Sequence, residues 1–270
     1  MILTRGFRFR LYPTPEQQAR LRQWDGALRF LWNAAHAQRE HNGTRCKVDR
    51  RTITAFDQIH ELTDLRADLE WLADVPRNVA AQLLVELDRA WQRYFKGLCE
   101  RPRFKRKGRD AAPLIEPHPK LFRVETDAVV FPKIGRISAV IHRPVQGTPK
   151  TCAIVRDGDA WFACVTCEIE IVDPLPSEKP PVAIDRGVAV LFADSDRRIV
   201  ANPRPAETLQ PRIARAQRTV ARRKKGSKNQ QKARARVARL QRKARRQRDH
   251  VLHVESHRYA QSHGAVIVEK

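Results

Sequence analysis

The sequence predicts an α/β chain of several domains, and three observations predict it. Residues 121–172 alternate apolar and polar positions with a period of two, the mark of short half-buried strands. Residues 15–96 instead space their apolar positions as a helix does. Beyond a proline-rich stretch, two apolar runs at 182–186 and 265–269 each end on a carboxylate and bracket a long basic helical segment. The expected architecture is an N-terminal strand with a small antiparallel β-barrel, an inserted helical domain, and a C-terminal α/β domain.

At 270 residues the chain is long enough for one to two domains with a real core. Its charge is the decisive bulk property: 53 Lys and Arg stand against 30 Asp and Glu, a net charge of +23. An excess of one sign this large repels itself unless a polyanion neutralises it, so nucleic acid is the expected partner. No apolar run is long enough for a transmembrane helix, and the N-terminus has no signal-peptide core, so no membrane is expected. Five scattered cysteines make no disulfide framework, which suggests a cytosolic compartment. Cys164 and Cys167 form a CxxC, but they sit in a β-prone run that should send them to opposite faces of a sheet, and no zinc is expected there.

Gly6-Phe7-Arg8-Phe9-Arg10-Leu11-Tyr12 alternates as a half-buried strand, stopped by Pro13-Thr14-Pro15. Thr14 is the expected N-cap and Pro15 the first helical residue. Helical spacing then continues through Leu21, Trp24, Leu28, Leu31 and Trp32, with interruptions expected at a basic loop, 45–51, and at Val75-Pro76. Residues 79–95 are the clearest amphipathic helix, with Leu83, Leu87, Ala90, Trp91 and Tyr94 on one stripe. Next comes Arg101-Pro102-Arg103-Phe104-Lys105-Arg106-Lys107-Gly108-Arg109, with six positive charges in nine residues around one aromatic ring. Charge of that density with a stacking ring fits a loop that grips phosphates, so Arg101, Arg103, Phe104, Lys105, Arg106 and Lys107 are candidate nucleic-acid contacts.

Strands are expected at 122–126, 128–132, 137–142, 151–156 and 161–171, followed by a linker rich in proline at 174–181. The terminal domain begins with a strand at 182–186, then strands at 188–193 and 198–201, then helices at 212–224 and about 229–263. Between Arg212 and Arg248 there are 17 Lys or Arg and no acid. A thin apolar seam of Val237, Leu240, Ala244, Val251 and Val254 makes this a helical hairpin with a wide cationic face. A helix charged with one sign repels itself until phosphates neutralise it. Arg222, Arg223, Lys224, Lys225, Lys228 and Arg234 are the candidate contacts here.

Strand, strand, strand, helices, strand is the order of a ribonuclease-H-like core, whose first and fourth strands lie parallel and adjacent. That would bring Asp185 and Glu269 together as ligands for Mg²⁺ or Mn²⁺, in the chemistry of phosphodiester cleavage. Sites of this kind usually need a third acid, and none follows Glu269 in these 270 residues.

Six motifs in order carry a resemblance to a known family: Phe7-Arg8-Phe9-Arg10-Leu11-Tyr12-Pro13-Thr14-Pro15-Glu16-Gln17, Arg101-Pro102-Arg103-Phe104-Lys105, Pro132-Lys133-Ile134-Gly135, Ala183-Ile184-Asp185-Arg186-Gly187-Val188, Arg223-Lys224-Lys225-Gly226-Ser227-Lys228-Asn229 and Val266-Ile267-Val268-Glu269. The chain resembles the OrfB/TnpB family of transposon-encoded proteins, RNA-guided DNA nucleases related to type V CRISPR effectors. The resemblance implies a wedge-type β-barrel from residues 1–13 and 110–173, a helical recognition domain at 14–109, and a partial RuvC-like nuclease domain at 182–270. It implies that Asp185 and Glu269 are catalytic metal ligands, that guide RNA and target DNA are the partners, and that the protein is cytoplasmic and nucleoid-associated in a prokaryotic-type cell. Family members continue into a four-cysteine zinc finger and a third catalytic aspartate. Without them, metal-dependent cleavage is expected to be lost or impaired. The alternative is a non-catalytic RNA- and DNA-binding protein such as a guide-dependent repressor; the oligomeric state is not legible.

Overall fold

The computed structural model describes residues 1–49 (43–49 as backbone alone), 52–172 and 177–268. The chain forms two compact units, Met1–Ile171 and Val172–Lys270.

The first unit is built on β1 (Ile2–Tyr12), which buries Phe7, Phe9 and Leu11 on one face. It starts four residues before the expected Gly6, because Ile2 to Leu11 find a continuous antiparallel partner from Glu170 back to Trp161. Four helices follow: α1 (Pro15–Asp49), α2 (Ala55–Asp68), α3 (Glu70–Ala73) and α4 (Arg77–Phe95). Thr14 and Gln17 cap α1 reciprocally, the Gln17 amide donating to the Thr14 hydroxyl at 3.2 Å and the Thr14 amide to the Gln17 side chain at 3.1 Å. The loop expected at 45–51 is corrected over 45–49; residues 50 and 51 lie outside the described ones. Helix α1 runs on to Asp49, since Arg45-Cys46-Lys47-Val48-Asp49 contains neither Gly nor Pro to stop it. The break at Val75-Pro76 stands, with Pro76 as the residue that caps α4.

Six further strands complete the sheet: β2 (Leu114–Glu116), β3 (Arg123–Val124), β4 (Ala128–Phe131), β5 (Gly135–Val140), β6 (Thr148–Asp157) and β7 (Ala160–Glu170). Their order is β2-β6-β7-β1-β5-β4-β3, and every pairing is antiparallel. Gly147 sits at φ +79 just before β6, where an added Cβ would lie 2.3 Å from the Glu168 carbonyl oxygen, so only glycine fits. Cys167 is buried while Cys164 is half-exposed, as an i, i+3 pair on a strand must be. One core serves sheet and helices alike: Phe7, Phe9 and Leu11 pack with Leu21, Trp24 and Leu28 of α1 and Leu83, Leu84 and Leu87 of α4.

The second unit begins with β8 (Pro181–Arg186), β9 (Val190–Asp194) and β10 (Ile199–Ala201). Then come α5 (Pro205–Ala221), α6 (Lys228–Ser262) and β11 (Ala265–Val268). The sheet order is β10-β9-β8-β11, with β11 parallel to β8 and the other two pairings antiparallel. Helix α5 starts at Pro205, not at 212 as expected. Pro205 occupies the favoured first turn, and the helix absorbs Pro211 at the loss of one backbone hydrogen bond.

The two helices meet through Leu209 and Ile213 against Leu240 and Ala244. The seam does not continue to Val254, which is exposed. At 1.5 Å per residue α5 spans about 26 Å and α6 about 52 Å, so α5 can cover only half of its partner. Over the remaining half it is Tyr259 that is buried, packed on Val182 and Phe192 of the sheet.

Candidate nucleic-acid interface and carboxylate site

The basic 101–109 segment is pinned to α1 along its backbone. Trp32 Nε1 donates to the Arg103 carbonyl at 3.0 Å. Asn33 holds Lys105 twice, Nδ2 donating to its carbonyl at 3.0 Å and Oδ1 accepting from its amide at 2.7 Å. The Arg106 amide donates to Asp110 Oδ2 at 2.8 Å. Four hydrogen bonds over so short a span fix the loop before any ligand arrives, and that lowers the entropy a ligand would have to overcome.

The six cations are not equivalent. Arg101 lies 3.2 Å from Glu40 and over the Trp91 ring, and Arg103 pairs with Glu100. Lys105 is withdrawn: its Nζ sits 4.4 Å from the Trp32 ring centroid, and burial pulls its pKa down against the opposing fields of Asp110 and Asp25. Arg106, Lys107 and Arg109 are exposed, with no side-chain ion pair among the described residues. These three are the outward charges of the loop. The Phe104 ring is half-exposed and tilted against His36, 4.5 Å between centroids.

In the second unit, Arg222, Arg223, Lys224 and Lys225 form the turn between α5 and α6, and Lys228 and Arg234 follow on α6; all six are exposed. Ser227 caps α6 by accepting from the Gln230 amide at 3.1 Å, and Gly226 takes φ +81 to make the turn.

Asp185 stands exposed near the end of β8, opposite Ala193 of β9. Strand alternation sends Val182 and Ile184 toward Tyr259 and Phe192 and turns Asp185 to the other face. On the other flank of β8 the parallel register pairs Val182 with Val266 and Ile184 with Val268. Glu269 lies outside the described residues. Among the described residues no three His, Cys, Asp or Glu side chains gather closely enough to hold a metal ion.

A polar network that the sequence gives no sign of holds this sheet to α6. Tyr259 donates its hydroxyl to Asp194 Oδ2, and Arg198 reaches the Tyr259 oxygen at 3.2 Å and Glu255 Oε2 at 2.7 Å. The Tyr259 bond, followed by the Arg198 amide, holds the Asp194 carboxyl below the usual range. The helix exit is equally constrained. The Gly264 amide donates to the Pro180 carbonyl at 3.2 Å, and a Cβ at Gly264 would come within 2.6 Å of the Lys179 oxygen. That contact brings the start of β11 against the start of β8 and so sets their register.

Sequence reasoning also missed Trp32, Asn33 and His36, which read as ordinary residues of a core helix. It missed the outer face of the sheet as well, where Phe162 lies between Arg8 and Arg10 at 4.0 and 5.2 Å. Alternating Arg and Phe in β1 is the only trace these leave.

Comparison with known proteins then places the chain. A family model of the OrfB type, described as a probable transposase, matches residues 164–270, and its companion, described as a helix-turn-helix domain, matches residues 1–45. Together they take in more than half of the sequence. The chain belongs to the OrfB family. A relative from Escherichia coli K12, InsQ, provisionally named an RNA-guided DNA endonuclease, is 27% identical over 266 residues. One from Streptomyces pristinaespiralis with the same provisional name is 29% identical over 272 residues. Each alignment takes in 98% of this chain, which spans 65% and 66% of the two relatives. The fold is similar to a chain in the solved Cas12f1–sgRNA–target DNA complex, with TM-score 0.51 and 11% identity over all of this chain and 81% of that one. Within residues 1–45 this OrfB chain forms a strand and a single helix, so the helix-turn-helix description does not match its geometry.

Proposed function

We propose that this OrfB chain binds a guide RNA and a complementary DNA strand, and that Asp185 and Glu269 hold the divalent metal of a DNA endonuclease. The observation that carries the reading is the parallel pairing of Ile184 with Val268, since these are the chain neighbours of the two carboxylates. Consecutive residues are 3.8 Å apart, so a register that continues for one more residue makes Asp185 and Glu269 neighbours. Carboxylate oxygens are the hard donors that Mg²⁺ and Mn²⁺ select. When bound, such an ion supplies a polarised water and charge neutralisation at the departing oxygen. The protein's own part is to present Asp185 on the open face of β8, while the exposed cations of 106–109 and 222–234 hold phosphates in each unit. The names of the relatives support RNA and DNA as the two polymers, read against each other by base pairing rather than by side chains.

The test uses the protein purified with its bound RNA. Nucleic acid should copurify and be released by salt, and any cutting of DNA complementary to that RNA should require Mg²⁺ or Mn²⁺. Asp185→Ala should weaken Mn²⁺ binding measured by electron paramagnetic resonance and abolish any metal-dependent cutting, while leaving RNA affinity unchanged. Protein that elutes free of nucleic acid at low salt, or an Asp185→Ala form that loses RNA, would overturn the reading.

A further inference from the structure

The groove between α1 and the 101–110 loop has walls that phosphate binding does not use. It encloses about 570 Å³, within the roughly 300–1,000 Å³ usual for sites that take small organic groups. Trp32, His36, Phe104, Lys105, Arg106 and Asp110 line it. His36 is fully buried, yet among the described residues neither of its ring nitrogens has a hydrogen-bond partner; Nε2 comes only to 3.4 Å from Glu40. Buried polar atoms are nearly always paired, so an unsatisfied histidine on a groove wall points to a missing ligand. Phe104 offers a half-exposed ring tilted against His36, 4.5 Å between centroids, and Trp91 lies 5.5 Å from His36. The Lys105 ammonium is held at the Trp32 ring inside the groove, and Arg106 and Arg109 stand at its rim.

We propose that this groove receives one unpaired nucleobase, stacked on Phe104 with its polar edge toward His36 and Lys105, while the flanking phosphates rest on Arg106 and Arg109. This rests on the reading that the 101–109 loop binds nucleic acid, and adds that it takes a base out of the stack. A paired base has both faces and its polar edge already occupied, so only an unpaired one can use a ring, a buried imidazole and an ammonium together. RNA and single-stranded DNA share that chemistry.

The experiment compares short single-stranded RNA, the matching single-stranded DNA and a duplex, each carrying 2-aminopurine, on wild type, Phe104→Ala and Phe104→Trp. Phe104 is half-exposed, so both variants should fold; their thermal unfolding is checked first. The expected result is quenching of 2-aminopurine in a single strand and a roughly five- to hundred-fold weaker single-strand affinity for Phe104→Ala. Duplex affinity and salt slope should hold, and Phe104→Trp should restore binding. A response confined to RNA, or to DNA, identifies the strand that supplies the base. Equal losses on single strand and duplex, or no loss on either, would overturn the proposal. Failure of all three nucleic acids to bind wild type at low salt would instead refute the underlying assignment of the loop.

Discussion

Tyr259 of α6 donates its hydroxyl to Asp194 of β9, which ties the longest helix of the second unit to the strand pair that carries Asp185. Ser195, the next residue, exchanges hydrogen bonds with Ala183: its amide donates to the Ala183 carbonyl at 2.9 Å and its Oγ accepts from the Ala183 amide at 3.2 Å. A helix 35 residues long thus fixes the strand on which the candidate carboxylate stands.

Tyr259→Phe keeps the packing on Val182 and Phe192 and removes only the hydroxyl, which donates to Asp194 and accepts from Arg198. Asp194 retains the Arg198 amide at 2.8 Å, so the expected loss is about 1–2 kcal/mol in denaturant unfolding. Protection of the β8 and β9 amides in hydrogen exchange should fall with it. Unchanged protection there would mean that Tyr259 holds the helix by packing alone.

Asn33→Ala deletes both hydrogen bonds to the Lys105 backbone, while α1 keeps its buried face. Trypsin should cut within 101–109 markedly faster than in the wild type, with the global unfolding free energy lowered by only about 1–3 kcal/mol. Cleavage at the wild-type rate would show that Asn33 does not order the loop.

Asp74 gives the first unit an acid-sensitive clasp. It accepts from Arg20 at 2.5 and 3.2 Å and from the buried Trp24 Nε1 at 2.5 Å, and the Arg20 bonds hold its pKa below the ordinary value. A depressed carboxylate contributes stability that is fully present above its unfolded pKa and fades as pH falls through the folded one. Unfolding midpoints should therefore fall below about pH 4, the ordinary aspartate value, and Asp74→Asn should flatten that acid limb while lowering stability at neutral pH. An unaltered acid limb would assign the sensitivity to another carboxylate.

Arg106, Lys107 and Arg109 are the loop cations free to meet phosphates. Replacing one of them by Gln should lower the log–log salt slope of RNA binding by about 1 and weaken binding alike across sequences. Replacing Arg103, which already pairs with Glu100, should change the slope less. If Arg103 matters as much as Arg106, the partition of charges within the loop is wrong.

The alternation in 7–12 exposed β1, and the apolar runs ending at Asp185 and Glu269 exposed the two strands that pair in parallel. Local period alone makes such elements visible. The start of α5 was hidden because Pro211 reads as a breaker, and only the finished helix shows that one missing backbone bond is tolerated. The end of the α5–α6 seam was hidden too, since Val254 has the right spacing but no second helix to meet. Of the candidate contacts, the sequence supplied the charges of 101–109, but not which of them are neutralised by Glu40 and Glu100 or stored beneath Trp32.

By itself, then, the sequence determined the net charge of +23, the strand and helix periods, and the two carboxylates that end apolar strands, because these depend on residue type and short-range spacing. The tertiary structure alone decided the register in which β11 lies on β8, Ile184 to Val268, that His36 is buried beside Phe104 without a partner among the described residues, and that Asn33 holds Lys105. Those relationships join residues 72 to 84 positions apart in two of the three cases, and no local pattern encodes a contact at that range. They follow only once burial of the apolar faces has fixed which elements touch.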